Sequence, residues 1–440
     1  MHPLLVKARK AGWSRRDFLR NLFFSAGSVP LASTLTACGG NPQNLGTGSV
    51  FTPLRSKFAD IGPLLEPNAD GLRLPAGFTS RVVAVSGEPP VAANPAYLWH
   101  VIPDGGGVLA LPDGGWIYVS NSEARDSSTA GGGLKPPRSL QSGGAGALRF
   151  SADGTLVDAY AILTNTTTNC SGCITPWGTW LSGEEVADGL VYECDPLGGN
   201  LMGTARPALG LFGHEAIAID VSRRTLYLTE DVGGNDRFYR FLCSETDWPV
   251  GAPRPALEDG RLQALGILDP DGIEAALRGP TPVAWFDVLN PDQPQRNNYR
   301  PETTVFSGNE GVWFFEDFVY FSTKNDDRIW AYDVIGQTVE AIYDRATSPM
   351  PILSGVDNIT MTSTGDILVA EDGGDMKLVV ILPDRSLLPL VQAPGDSSGE
   401  LCGPAFSPDG RRLYVSSQRN GRNGVPGPGI TYEITLPFAV

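Results

Sequence analysis

Six short segments of one layout recur along the 440-residue chain, and nothing else in it restricts the fold as tightly. Trp116-Ile117-Tyr118-Val119-Ser120, Thr179-Trp180-Leu181-Ser182, Leu226-Tyr227-Leu228-Thr229, Val319-Tyr320-Phe321-Ser322, Ile367-Leu368-Val369-Ala370 and Leu413-Tyr414-Val415-Ser416 each carry a large residue, an apolar one and then a small one. Most follow a turn signal such as Pro112-Asp113-Gly114-Gly115, Ser363-Thr364-Gly365-Asp366 or Pro408-Asp409-Gly410. Counted from the large residue, the successive steps are 62, 47, 93, 48 and 46 residues. A step near 47 is the length of a four-stranded propeller blade. The spacing therefore predicts an all-β chain, a six-bladed β-propeller with an insertion between the third and fourth recognised repeats. Asp259-Gly260 and Pro282-Val283-Ala284-Trp285-Phe286 lie in the doubled step without a matching acidic end, which favours an insertion over a seventh blade. A last strand near Thr431–Thr435 is expected to close the ring with the first blade, because closure removes exposed sheet edges. Helix is expected to be sparse, with Asp271–Arg278 a short exception. The 53 Gly and 36 Pro residues, one in five of the chain, agree with a turn-dense β protein and exclude a coiled coil or long-helix bundle.

The N-terminus reads as an address. Lys7, Arg9, Lys10, Arg15, Arg16 and Arg20 precede a charge-free, weakly apolar run from Asn21 to Ala37, the order of a secretory signal. Within it, Ser14-Arg15-Arg16-Asp17-Phe18-Leu19-Arg20 fits the twin-arginine pattern S-R-R-x-F-L-K at all but the last position. Leu35-Thr36-Ala37-Cys38 is similar to a bacterial lipobox, in which Cys38 is lipidated and becomes the new N-terminus. The expected organisation is a signal peptide over 1–37, a flexible Gly-, Asn-, Pro- and Thr-rich tether over 38–56 and one propeller domain over 57–440. The mature protein is expected to be a monomer in the periplasm or at the outer membrane, touching the membrane only through the lipid on Cys38. Cleavage before Cys38 leaves 27 basic and 48 acidic residues, a net charge of −21. Such a surface repels a duplex, so nucleic acid is excluded as a partner.

The repeat also places chemistry. Just after the small residue, four of the six segments carry acids: Glu123; Glu184 and Glu185; Glu230 and Asp231; Glu371 and Asp372. Equivalent positions in blades lie at one end of the ring, so these carboxylates are expected at a shared mouth, where they repel one another unless cations are bound. Only His100 and His214 remain after cleavage, which excludes a tri-histidine zinc site. His214 reads as a hydrogen-bonded structural residue. Oxygen-rich ligation suits calcium, magnesium, manganese or ferric iron, and one thiolate favours a transition metal at one position. Of the five remaining cysteines, Cys170 and Cys173 form a lone Cys-x-x-Cys that fits a redox motif, half a metal site, a disulfide or two small buried thiols.

One stretch carries a resemblance. Thr168-Asn169-Cys170-Ser171-Gly172-Cys173-Ile174-Thr175-Pro176-Trp177-Gly178-Thr179-Trp180-Leu181-Ser182-Gly183-Glu184-Glu185 resembles the hallmark of the PhoX family of bacterial alkaline phosphatases, N-C-x-G-G-x-T-P-W-G-T-W-L-x-C-E-E. Further stretches agree in order: Leu98-Trp99-His100 through Gly105, Asn121-Ser122-Glu123, Gly213-His214-Glu215, Leu228 through Asp231, Phe238 through Phe241, Glu310-Gly311, Asp357-Asn358, Ala370 through Gly373, and Gly403 through Gly410. Together they span about residues 70 to 425.

The resemblance implies a six-bladed propeller whose mouth holds ferric iron and calcium around an oxo bridge. It also implies hydrolysis of small phosphomonoesters outside the cytoplasm by a metal-bound oxo or hydroxide. It assigns Cys170 as the iron ligand, Glu123, Glu215, Glu310 and Asp357 as metal-binding acids, and Glu371, Asp372 and Glu400 beside them. Lys324, Arg328 and Arg419 follow blade strands and are candidates for phosphate contacts in catalysis. The chain departs from the family at Cys173 for the second Gly, at Gly183 for the later Cys, at Ser122 for a His and at Arg419 for another His. Two rival readings are a calcium-dependent lactonase or esterase, for which Cys170 is incidental, and a non-catalytic propeller lipoprotein that scaffolds a partner.

Overall fold

A computed structural model describes residues 55–125, 143–395, 399–420 and 427–440. The signal, lipobox and most of the tether lie outside them. Among the described residues no helix is long and apolar enough to cross a membrane.

The described chain is almost entirely antiparallel sheet. Four sheets have four strands each and one has nine. All six repeated segments become second strands: Trp116–Ser122, Trp180–Glu184, Thr225–Glu230, Phe318–Thr323, Ile367–Glu371 and Arg412–Ser417. Each pairs with an inner strand on one side and a third strand on the other. The inner strands are Pro103–Ala110, Asn169–Ile174, His214–Asp220, Asn309–Phe315, Val356–Met361 and Leu401–Phe406. Each packs against the next, and Leu401–Phe406 returns to Pro103–Ala110. This circuit makes the fold propeller-like.

The sequence layout has a direct packing cause. The large residues Tyr118, Trp180, Tyr227, Tyr320, Leu368 and Tyr414 are all buried and fill the spaces between neighbouring sheets. Tyr118 stacks on Tyr414 across one such space, with ring centroids 5.0 Å apart. Burying each such side chain contributes roughly 1.5–3 kcal/mol, so the core lies between the sheets and leaves the axis free for polar groups.

Two expectations need correction or refinement. The last strand, Ile430–Thr435, does not join the first repeat's sheet. It lies between Arg412–Ser417 and the N-terminal strand Thr79–Val85, so the chain's two ends close the last sheet together. The doubled step holds no complete extra sheet. Its strand Thr281–Asp287 pairs with Gly260–Ile267 on one side and, through Thr281 and Pro282, with Thr338–Asp344 on the other. That pairing bridges two groups of four strands into the nine-stranded sheet. The expected short helix is Ile273–Arg278.

Candidate metal centre

The inner strands start irregularly, and the irregularity builds the site. Their ladders slip between Pro103 and Gly106, Asn169 and Gly172, His214 and Ile217, Asn309 and Val312, and Val356 and Ile359. The first residue inside each slip is Asp104, Cys170, Glu215, Glu310 or Asp357. A bulge frees a residue from the alternation of the strand and re-aims its side chain, here toward the axis. In the sixth inner strand the slip follows Cys402, and Glu400, just before the strand, supplies the acid. Small residues follow these donors because the strands crowd together. A Cβ on Gly105 would lie 2.5 Å from the Ser171 Cα, and one on Gly311 2.4 Å from the Ile359 nitrogen.

Side chains near the ends of three second strands hold this ring in place. Asn121 Nδ2 donates to the Ser171 carbonyl at 2.9 Å, Thr229 Oγ1 to the Glu310 carbonyl at 2.6 Å and Ser322 Oγ to the Asp357 carbonyl at 2.6 Å. Each bond runs from a second strand to the inner strand that follows it around the circuit. The bulged backbone, which lacks full ladder partners, is thereby satisfied.

Three sets of donors converge. Asp104, Glu400 and Cys402 form one; Cys170, Glu185 and Glu215 a second; Glu215, Glu310 and Asp357 a third, each with its donor atoms within 4.8 Å of one another. Glu215 belongs to two of them. It is 1% exposed, and neither of its carboxylate oxygens has a hydrogen-bond partner among the described residues. Leaving a buried carboxylate unpartnered is costly, so these residues fit metal ions. The set with a thiol suits a transition metal, and the all-oxygen set suits a hard cation such as calcium.

The electrostatics agree. Burial, then the Glu123 and Asp357 charges, push Asp104 well above the carboxylate range. Burial and its neighbours do the same to Glu215 and Glu400. Glu185 is raised to about 8 and Asp357 to about 7, burial again leading. The Cys170 thiol is raised by burial and by Asp104, and it donates to Asp104 Oδ2 at 3.5 Å. A bound cation reverses all of these shifts at once by favouring the deprotonated donors.

The acids named from the sequence divide. Glu123, Glu185, Asp231 and Asp372 join the ring: Glu123 and Asp372 raise Glu400, and Asp231 raises Glu185 and Glu310. Glu184, Glu230 and Glu371, the residues immediately before three of them, turn away. Glu184 accepts from the Thr167 and Leu190 amides, and Glu371 from the Ser354 and Lys377 amides. Glu230 accepts from the Tyr239 and Tyr299 hydroxyls and the Arg237 amide. Glu371, proposed from the sequence as a metal ligand, is thus placed in a backbone clamp, because successive residues of an extended chain face opposite sides.

The cations divide too. Lys324 Nζ lies 2.5 Å from Glu310 Oε1 and 3.3 Å from Asp372 Oδ2. Burial opposes its charge, but Glu310, Asp357 and Asp372 hold it well above the lysine range. Arg419 Nη2 is 3.6 Å from Glu123. Arg328 instead pairs with Asp326 at 2.5 Å and Asp344 at 3.6 Å, and is placed with neither the donor sets nor the other two cations.

Sequence reasoning placed Glu185 at the mouth without assigning it to a metal, and left Asp104, Cys402 and Gln418 out of the site. Gln418 Nε2 reaches Asp104, Glu123 and Glu400 at 3.0, 2.8 and 2.7 Å. Asp104 and Cys402 share a signal, an acid or Cys followed by a small residue ahead of a repeated segment, that recurs at five of the six: Asp104-Gly105, Cys170-Ser171, Glu215-Ala216, Glu310-Gly311, Cys402-Gly403. All five described cysteines are free, including Cys170 and Cys173. His214 bonds the Gly210 carbonyl and is lowered to about 4 by burial, so it is a neutral structural group. The family departure at Gly183 has a steric reason here, since a Cβ would lie 2.6 Å from the His214 carbonyl oxygen.

Bulged strands, orphaned carboxylates and a thiol on the axis define an all-β, propeller-like protein with a bowl able to hold metal ions. Residues 108–312 match the family model described as alkaline phosphatase PhoX, and the chain carries that family's domain over this stretch. The fold is similar to that of Pseudomonas fluorescens PhoX in complex with vanadate, a transition state analogue, with a TM-score of 0.67 and 15% identity over 86% of this chain and 98% of that one. A gluconolactonase of Xanthomonas campestris matches at a TM-score of 0.41 and 13% identity, over 88% of this chain and 100% of the other. A calcium-binding regucalcin of Agrobacterium tumefaciens matches at 0.37 and 14%, over 81% and 93%. No curated protein matches the sequence.

Proposed function

We propose that this chain is an exported, metal-dependent phosphomonoesterase that releases inorganic phosphate from small organic phosphate esters. The observation that carries the reading is Glu215: a buried carboxylate without hydrogen-bond partners among the described residues, shared by a thiol-containing and an all-oxygen donor set, in a chain with the PhoX family's domain. The first of those sets, Cys170, Glu185 and Glu215, would hold ferric iron. The second, Glu215, Glu310 and Asp357, would hold calcium, with Asp104, Glu123, Glu400 and Asp372 around them. Ions bound there supply the positive field that draws a dianionic ester and stabilise the charge that develops on its oxygens. Without them, these eight carboxylates and Asp231, set against Lys324 and Arg419, repel such a substrate. Those two side chains line the rim and orient the phosphoryl oxygens, while Arg328 holds its own turn together.

In this reading the nine-stranded sheet is two blades bridged by Thr281–Asp287, which brings the count to six. The protein is a monomer exported by the twin-arginine route, processed at Cys38 and held at the membrane by lipid, with 57–440 as its single domain. Chelating the metals should reversibly abolish turnover of a generic aryl phosphate. A protein fully loaded with iron and calcium yet inert towards phosphomonoesters overturns the proposal. Unchanged processing of Arg15→Lys with Arg16→Lys overturns the export route.

A further inference from the structure

Six residues follow the six second strands: Glu123, Glu185, Asp231, Lys324, Asp372 and Gln418. Four are acids and one is an amide that bonds three acids. Lys324 alone brings a positive charge, and it brings it to Glu310, a member of the all-oxygen donor set. Its backbone is fixed, since its amide donates to the Gly308 carbonyl at 2.7 Å and it opens the short turn Lys324–Asp326. Its side chain is not, being 31% exposed on a flexible four-carbon stem. Glu310 has no such freedom, because it is 2% exposed and its strand is pinned by Thr229.

We infer that Lys324 is a displaceable counterion: a divalent cation entering the Glu215, Glu310 and Asp357 set expels its ammonium from Glu310, and the freed group then contacts a phosphoryl oxygen. An ammonium 2.5 Å from Glu310 Oε1 takes the electron density that a cation needs, and two cations sharing one carboxylate in a buried bowl repel strongly. The side chain that can leave is the one on the flexible stem. Arg419 does not share the role, since its contact with Glu123 is longer and Glu123 is outside that set. Expulsion does not depend on the reaction, but the contact with phosphate rests on the phosphomonoesterase reading.

The test begins with the wild-type full chain. Amine acetylation of Lys324, followed by peptide mass spectrometry, should be slow in chelated protein and at least about 10-fold faster once calcium alone is added. Calcium titration of chelated Lys324→Met should give at least about 10-fold tighter binding than wild type, and Lys324→Arg should restore the weaker binding. In metal-loaded protein, Lys324→Met should raise KM for an aryl phosphate more than it lowers kcat. Calcium-independent labelling, or unchanged or weaker calcium affinity in Lys324→Met, overturns expulsion. Labelling on the wild type decides this even if Lys324→Met does not fold. A kcat loss without a KM change overturns the phosphate contact alone. If labelling and calcium affinity respond as expected while the loaded protein turns over no phosphomonoester, expulsion stands and the phosphatase reading falls.

Discussion

Glu371 and Asp372 are neighbours in sequence and opposites in role. Glu371 spends both oxygens on the Ser354 and Lys377 amides, whereas Asp372 meets only Lys324 of the described cations. Glu184 and Glu185 repeat the contrast, as do Glu230 and Asp231. In each pair the first acid spends its oxygens on backbone or tyrosine donors, and the second faces the acids of the ring. The difference shows that this molecule uses the same chemical group in two ways. A carboxylate surrounded by donors fixes a loop, and one surrounded by carboxylates waits for a cation.

The widest separation of the two classes should come from Glu215→Gln. It removes a charge shared by two donor sets, so turnover should drop by more than about 100-fold, the upper range for merely supporting residues. The metal-free protein should remain folded. Activity within a few-fold of wild type means Glu215 is not a ligand.

Cys170→Ser should abolish the visible thiolate-to-iron absorption of iron-loaded protein, while Cys173→Ser, whose side chain packs against apolar neighbours, should keep it. A band that survives Cys170→Ser removes the thiolate from the centre.

Metal-free protein should become less stable as pH rises. Asp357 and Glu185 titrate in the folded protein at about 7 and 8, far above an unfolded carboxylate near 4. A raised pKa means the native state holds the extra protons, so stability is full below about pH 4 and is lost as pH rises through 7 and 8. The unfolding free energy of chelated protein, from urea titrations, should be lower at pH 8 than at pH 5 by on the order of 6 kcal/mol, and calcium should flatten the slope. Chelated protein that is more stable at pH 8 contradicts the orphaned bowl.

The smallest effect sharpens the opening contrast. Glu371→Gln leaves one amide facing another donor and should cost roughly 1–2 kcal/mol of stability with little change in calcium affinity. Asp372→Asn should do the reverse. Equal calcium losses from both would show that the two acids are not distinct.

Much of this architecture was legible beforehand. The large-apolar-small segments became second strands without exception, and the doubled step holds the strand Thr281–Asp287 and the short helix Ile273–Arg278. Cys170, Glu215, Glu310 and Asp357, assigned through a family resemblance, lie together in the bowl. Glu371 and Arg328, assigned from the same stretches, do not. Their partners are Ser354 and Lys377 for one, and Asp326 and Asp344 for the other. An acid or arginine near a strand end carries no mark of which way it points.

By itself the sequence determined the repeat, its strands and its turns, because strand patterning and turn chemistry act between residues a few places apart. It also determined that acids would gather at strand ends. Only the tertiary structure decided which acids share the axis. Asp104 meets Gln418 and Glu400 across some three hundred residues, and that meeting exists only once the N-terminal strand Thr79–Val85 has closed the last sheet. The five slips that re-aim Asp104, Cys170, Glu215, Glu310 and Asp357 arise from pairing between strands and from crowding at the axis. Neither is a property of any one strand read alone.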